Sequence, residues 1–371
     1  MASIHGIDIG DNAKFFYKVR IKGKGVVDLT AQYRNYGVTD DFRRAITISK
    51  DTTKFMHPLM VNSYDNNQWD SFFQPDSLGR TSLGEEGTSY WAISKTGWFA
   101  DRREPGYPKG ASAAQIVKVF DMHRNNMWKK FYDFHEQARW VNPTAPNDGS
   151  TSQIQAFGIP HYVVTSATAA VGQNGGLPNG YSTVSGLPRT NTALCNWTAT
   201  ATDMSINGGQ KKMSQMIRKM RWVVPRSLPG EEAPSLDFEI LSHETPYELY
   251  EDQKYAVRGD DNISKDPAQL RGSAKGDMNV LMFRGIPWRW VDALSNATTR
   301  DGSTNPAYNS SQPVYLLDHS TWVTYTAEGL FMNESEPRWS DDAHNVLKFH
   351  MDTVYQRVNI NPGANGVITF A

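Results

Sequence analysis

The chain has 371 residues, a formal net charge of -1 and a single cysteine, Cys195. That length allows one large domain or two ordinary ones. The charge excludes the whole-chain basicity of a nucleic-acid binder, and one cysteine excludes an intrachain disulfide. Hydrophobic residues make up 39% and aromatics 12%, with 11 Trp, and mean hydropathy is -0.56. Low hydropathy with many aromatic rings suits a chain that buries area against other subunits. A lone cysteine fits a reducing compartment, and no apolar run approaches the ~18 residues of a membrane span. The opening MASIHGIDIGDNAKFF lacks the basic-then-apolar layout of a signal peptide. The expectation is a soluble protein made and used in a cytoplasm, with no membrane partner.

Residues 1–50 read as extended. Phe15, Tyr17, Val19 and Ile21 alternate with Lys14, Lys18, Arg20 and Lys22, the period of a strand. Nine Lys/Arg against five Asp, nine minus five, make the segment +4. Such an arm contacts phosphates or forms a solvated face, and Lys14, Lys18, Arg20 and Lys22 are the DNA-facing candidates. Residues 51–110 are punctuated by Gly79, Gly84, Gly87, Gly97, Pro105, Gly106 and Pro108, with short strand-like runs at Ser89–Ser94 and Thr96–Ala100. With little apolar mass, they read as a projecting β-hairpin or loop that must pack on something else.

Ser112 to Trp140 reads as one long helix. Ala113, Ile116, Val117, Phe120, Met127, Phe131, Phe134 and Ala138 recur at helical spacing, and Trp128, Tyr132 and His135 widen the stripe. Ser112 and Gln115 have capping-box spacing, and Asn142 before Pro143 ends the run. About eight turns, roughly 45 Å, make a strut rather than a helix hidden in a small core.

Beyond a polar linker at 143–152, an apolar stretch Ile154–Thr165 holds Gly158-Ile159-Pro160, and residues 172–191 mark a surface loop. A helix is expected at Gln210–Trp222, with Met213, Met216, Ile217 and Met220 on one face and Lys211, Lys212, Arg218, Lys219 and Arg221 on the other. Phe238–Leu241 reads as a strand. Thr245-Pro246-Tyr247-Glu248 reads as a capping box with Thr245 as N-cap of a helix to about Tyr255. Strands follow at Val280–Phe283, Pro287–Val291, Val314–Asp318 and Trp322–Thr326. In the last long strand, Asn345–Ile360, the apolar parity switches from Leu347, Phe349, Met351 and Tyr355 to Val354, Val358 and Ile360, which predicts a bulge. Val367–Phe370 is a final strand.

Motifs with a chemical mechanism are absent from the sequence. It has no phosphate-binding G-x-x-x-x-G-K-[ST], the glycines of 172–180 lack dinucleotide spacing, and His135-Glu136 has no second histidine one turn on. His123 and His135 stand about 120° apart on a helix, so they do not share a metal from one face. Cys195 reads as a small buried hydrophobe. Asp260-Asp261 and Asp341-Asp342 are adjacent carboxylates in polar loops. A hydrolase using Asp260, Asp261 or His319 is the alternative to a structural role.

The order of parts resembles the major capsid protein of tailed bacteriophages, whose shell fold is shared with the floor of herpesvirus capsids. GASAAQIVKVFDMHRNNMWKKFYDFHEQARWVNP looks like the spine helix of that family. FGIPHYVV and CNWTATATDM look like the start of its axial domain, and MSQMIRKMRWVVP and TPYELYEDQ like two axial helices. LMFRGIPWRWVDAL resembles a strand turn common there, and PVYLLDHSTW and LKFHMDTVYQRVNINPGANGVITF the returning peripheral strands. The resemblance implies an α+β chain with an N-terminal arm at 1–50 and an extended β loop at 51–108. It also implies a peripheral domain at 109–150 and 336–371 with the spine helix, and an axial domain at 151–335. It implies a structural subunit that self-assembles into pentamers and hexamers around double-stranded DNA, without catalytic residues, cofactors or metals. Its partners would be further copies, weakly held DNA, and portal, scaffolding or decoration proteins. Its place would be the virion, after assembly in a host bacterial cytoplasm. Trp91, Trp98, Phe99, Arg102 and Arg103 in the extended loop are the candidate assembly residues. In one respect the likeness departs: a long acidic helical extension ahead of the arm, and with it a fused scaffolding segment, is not expected for this chain.

Overall fold

In the computed structural model, residues 36–49, 53–60, 84–101, 113–143, 154–165, 171–173, 183–187, 195–223, 237–258, 281–299, 302–336, 338–340 and 346–370 are described. The first element is a helix, α1 (Gly37–Arg43), followed by a short strand, β1 (Ile46–Ile48). This corrects the expectation of an extended chain through residue 50. Val38 and Phe42, one turn apart, share a helix face: Val38 is buried, and the Phe42 ring meets those of Phe131, His135 and Tyr355.

β2 (Lys54–Met60) and β3 (Gly84–Tyr90) pair as a hairpin of their own, and β4 (Ala92–Asp101) follows. The two expected strand runs are therefore bounded differently, with the break at Trp91, whose indole turns into the core. Gly87 makes room for a buried imidazole: a Cβ there would lie 2.4 Å from His57 Nε2.

The strut is α2 (Ala113–Trp140). Met127 and Phe131 are buried against Met351, as expected, but Phe134 is 58% exposed. The covered face turns instead through His135, Glu136, Arg139 and Trp140. A short helix, α3 (Ile159–Tyr162), closes over the strut's end, where a Cβ on Gly158 would meet the Val141 carbonyl at 2.1 Å.

The chain then forms β5 (Val171–Gln173), overlapping the start of the expected loop, β6 (Trp197–Ala201), α4 (Gly209–Val223), β7 (Phe238–Ser242) and α5 (Glu244–Arg258). The start of α5 differs from expectation: it begins at Glu244, and the amide of Thr245 donates to His243 Nδ1 at 3.2 Å. The imidazole does the work assigned to the Thr245 hydroxyl. β8 (Leu281–Phe283) turns through Arg284 and Gly285, both at positive φ, into β9 (Ile286–Trp290), the two-residue hairpin turn that matches strand twist. α6 (Asp292–Ser295), β10 (Val314–Asp318), β11 (Trp322–Ala327), β12 (Asn333–Glu334), β13 (Arg338–Trp339), β14 (Val346–Asn359) and β15 (Gly366–Phe370) complete it.

Among the described residues the strands make two larger sheets besides the hairpin. In the six-stranded sheet β14 is the axis. It pairs with β4 from Val346↔Asp101 to Tyr355↔Ala92, and on its other side with β11, β12 and β13, while β1 joins β11 in parallel. The register runs unbroken through the parity switch, so the expected bulge is absent. The switch has another cause: from Thr353 onward both faces of β14 are buried. Val354 and Val358 meet Phe55, Trp91 and Ala327 on one face, and Tyr355 meets Ala92 and Ala156 on the other.

The seven-stranded sheet has the order β5-β6-β15-β10-β7-β9-β8. Its strands sort residues by period two. Ile240, Val314, Leu316 and Ile368 face α4 and α5, whereas Leu241, Tyr315, Leu317 and Val367 face Trp140, Phe157 and Tyr162. The sheets divide the chain differently from the expected boundaries. β11 and β12, inside 151–335, belong with β14, and β15, inside 336–371, lies within the other sheet.

Candidate functional site

A charged seam runs where α1, the end of α2 and the two sheets meet. Helical periodicity brings Asp133, Glu136, Arg139 and Trp140 of α2 toward α1. Tyr36 donates its hydroxyl to Asp133 Oδ1 at 2.7 Å, the Val38 amide donates to Glu136 Oε2 at 2.9 Å, and Trp140 Nε1 donates to Glu136 Oε1 at 3.0 Å. Asp41 receives two guanidinium groups at its Oδ2, Arg139 Nε at 3.1 Å and Arg357 Nη2 at 3.0 Å. All three side chains are largely withdrawn from water. Burial alone would raise the Asp41 pKa, but Arg139 and Arg357 outweigh it and hold the carboxyl below its ordinary value.

A cavity of about 170 Å³ opens beside this cluster, bounded by α1, Arg139, β7, β9 and β11. His319 lies on its wall, with Nε2 2.7 Å from Glu239 Oε2, and Arg289 pairs with the same carboxylate. Burial raises the Glu239 pKa, but the His319 hydrogen bond and the Arg289 charge prevail and hold it low. At the mouth Arg44 Nη1 meets Asp237 Oδ2 at 3.1 Å. These carboxylates and guanidinium groups engage one another, so the seam acts as a fastening between elements. His319, named for the hydrolase alternative, is a member of it. Among the described residues no group of three or more His, Cys, Asp or Glu is placed to hold a metal ion, and no helix is long and apolar enough to cross a membrane.

The residues expected to form assembly surfaces separate. Trp91 is 2% exposed and packs on Phe55, Ala327, Val354 and Val358. Its ring belongs to the core of the chain rather than to an exposed surface. Trp98 stacks on Phe349 at 4.0 Å and on His123 at 5.9 Å between β14 and α2. Phe99 is 66% exposed on the outer face of β4, opposite Lys348. Arg102, Arg103, Lys14, Lys18, Arg20, Lys22, Asp260 and Asp261 lie outside the described residues. Cys195 is buried, as a small apolar residue is.

Sequence reasoning missed Asp41, Glu136, Arg139 and Arg357. A signal was present in the last strand, where Gln356 and Arg357 interrupt an apolar run at positions that must be covered; a charge there demands a buried partner.

Among solved structures, the Cyanophage A-1(L) capsid matches with a TM-score of 0.55 at 14% identity, covering 93% of this chain and 96% of that one. The capsid of the native GTA particle and that of Cyanophage P-SCSP1u each match at 0.49, with 12% and 11% identity, over 94% of this chain and 92% and 91% of theirs. No protein-family model and no curated protein matches the sequence. The superposition on the A-1(L) capsid spans nearly all of both chains, so the fold is an α+β fold of the tailed-phage capsid type.

Proposed function

We propose that this chain, which carries the tailed-phage capsid fold, is the major structural subunit of an icosahedral phage shell. The observation that carries the reading is the extent of the fold match, which covers 93% of this chain and 96% of the A-1(L) capsid chain. The subunits form rings of five and six that close around double-stranded DNA, and no chemical step is part of the role. The shell is the virion capsid, assembled in the host bacterial cytoplasm with portal, scaffolding or decoration proteins as further partners.

Phe99, with Arg102 and Arg103 beside it in sequence, is the proposed contact of the extended loop with a neighbouring copy. Lys14, Lys18, Arg20 and Lys22 are the proposed contacts to packaged DNA. With a net charge of -1, that attraction is local, independent of base sequence and weakened by salt, because each phosphate contact releases a counterion.

Negative-stain microscopy of the purified protein, over a range of salt and pH, tests the reading. Closed particles of uniform size are expected. A species that stays monomeric or dimeric under every condition would overturn it.

A further inference from the structure

The structure carries two oppositely charged helix faces on one layer. On α4, Met213, Met216, Ile217 and Met220 point into the core, and Lys211, Arg218 and Lys219 are exposed with Lys212 at their side. No acidic residue occurs between Asp203 and Glu231. On α5, Tyr247 and Tyr250 point into the same core, and Glu248 and Asp252 are exposed with Glu244 at their side. Lys211, Lys212, Lys219, Glu248 and Asp252 form no ion pair among the described residues.

Like charges crowd the acidic face: the Glu244 pKa is pushed up by partial burial and by the charges of Glu248 and Asp292. Each face also holds an exposed apolar residue, Ile206 (70% exposed) just before α4 and Leu249 (43% exposed) on α5.

The placement of the helices turns this pattern into a direction. Both lie on one face of the seven-stranded sheet, α4 over β6 and β15 toward one side and α5 over β9 toward the other. They touch at one end, where Gln210 Nε2 donates to Gln253 Oε1 at 2.6 Å. A subunit built this way presents a basic flank and an acidic flank. A heterologous contact joins two different patches and, repeated with a constant rotation, closes a ring.

We infer that the basic face of α4 on one copy docks against the acidic face of α5 on the next copy around a ring, with Ile206 and Leu249 as apolar anchors. The inference rests on the shell reading and names the contact that orders copies within a ring. Charge complementarity favours a second copy over nucleic acid as the occupant. A duplex approaching α4 would also meet the acidic face of α5 on the same side of the sheet, which repels phosphate.

The test compares four full-length chains: the unaltered one, Lys211→Glu with Lys219→Glu, Glu248→Lys with Asp252→Lys, and all four changes together. The sites are exposed, so thermal melting of isolated subunits should be alike in all four. Each double reversal should lower the yield of closed particles at least about tenfold, since like charges then face each other. The fourfold chain, with complementarity restored in the opposite sense, should assemble again. A mixture of the two double variants should alternate around rings, which closes rings of six but not of five.

If the unaltered chain makes shells and the reversed chains make them equally well, this contact is wrong and the shell reading stands. If the unaltered chain makes none, the shell reading itself fails. A folded fourfold chain that does not assemble would also overturn the pairing. So would an α4 reversal that spares assembly but lowers the duplex DNA retained by the particles, since that face would then serve DNA.

Discussion

Arg357 of β14 sets its Nη2 3.0 Å from Oδ2 of Asp41 in α1, and so ties the axis of the six-stranded sheet to the first described helix. Removing one member of a buried ion pair leaves the other charge without compensation and typically costs about 3–5 kcal/mol. Asp41→Ala leaves Arg357 without its carboxylate and Arg139 with only Glu136, at 4.0 Å, and should lower subunit stability by an amount in that range in urea titration. Asp41→Leu combined with Arg357→Met should cost less than the sum of the single changes, because the remaining charge is then removed as well.

The same carboxylate sets an acid limit. Its pKa in the folded subunit lies below the ordinary value of 3.8, so the unfolded chain binds the proton first. The stability Asp41 contributes is complete above that ordinary value and is lost as pH falls through the folded one. Asp41→Asn should flatten the decline of melting temperature with pH in that acid range.

Two buried imidazoles act at milder acidity. Burial lowers the pKa of His57 from 6.5 to about 4. Burial, then the Arg357 charge, lowers that of His135 to about 3. Both stay neutral when folded and take up a proton in the unfolded chain below 6.5. Subunit stability should therefore fall as pH drops from 6.5 toward these values. Replacing either histidine with glutamine should reduce the slope of stability against pH in that window, even where it lowers stability at neutral pH.

On α2, two phenylalanines three residues apart should behave oppositely. Phe131 is 2% exposed and Phe134 58%. Truncating Phe131 to Ala should cost about 3–5 kcal/mol and give insoluble or unassembled subunits. Phe134→Ala should shift stability by no more than about 0.5 kcal/mol. Denaturant midpoints of the two variants decide.

On the extended segment, Trp91→Ala should destabilise the isolated subunit, because Trp91 fills the core between hairpin and sheet. Phe99→Ala should leave the subunit's melting unchanged and lower only the yield of particles. Equal effects of Phe99→Ala on both measurements would remove it from the interface.

Where one face of an element is apolar and the other polar, the period alone was enough to read it. The Met213, Met216, Ile217 and Met220 stripe was legible for that reason, whereas Val314–Asp318, buried on both faces, was legible as a short apolar run between turn residues. The Phe134 error has a physical root: the covered face of α2 carries Glu136 and Arg139, and hydropathy ranks an exposed Phe above a buried Arg. The bulge expected in β14 failed similarly, since a strand covered on both faces loses its alternation. The seam was the least legible part. Its partners come from distant segments, and only their meeting in space makes Asp41 a buried ion rather than one of two acids in a surface turn.

β15 lies between β6, with which it runs parallel, and β10. It supplies the middle of a sheet whose other strands are made much earlier in synthesis. Until residues 366–370 leave the ribosome, β6 and β10 have no common neighbour and the faces that receive Val367 and Ile368 stay open. Closing such distant pairings is slow, and an incomplete chain exposes apolar surface meanwhile. A nascent chain is therefore incompletely folded at every intermediate length, and translation arrested before this strand should yield chains destined for chaperones or proteases.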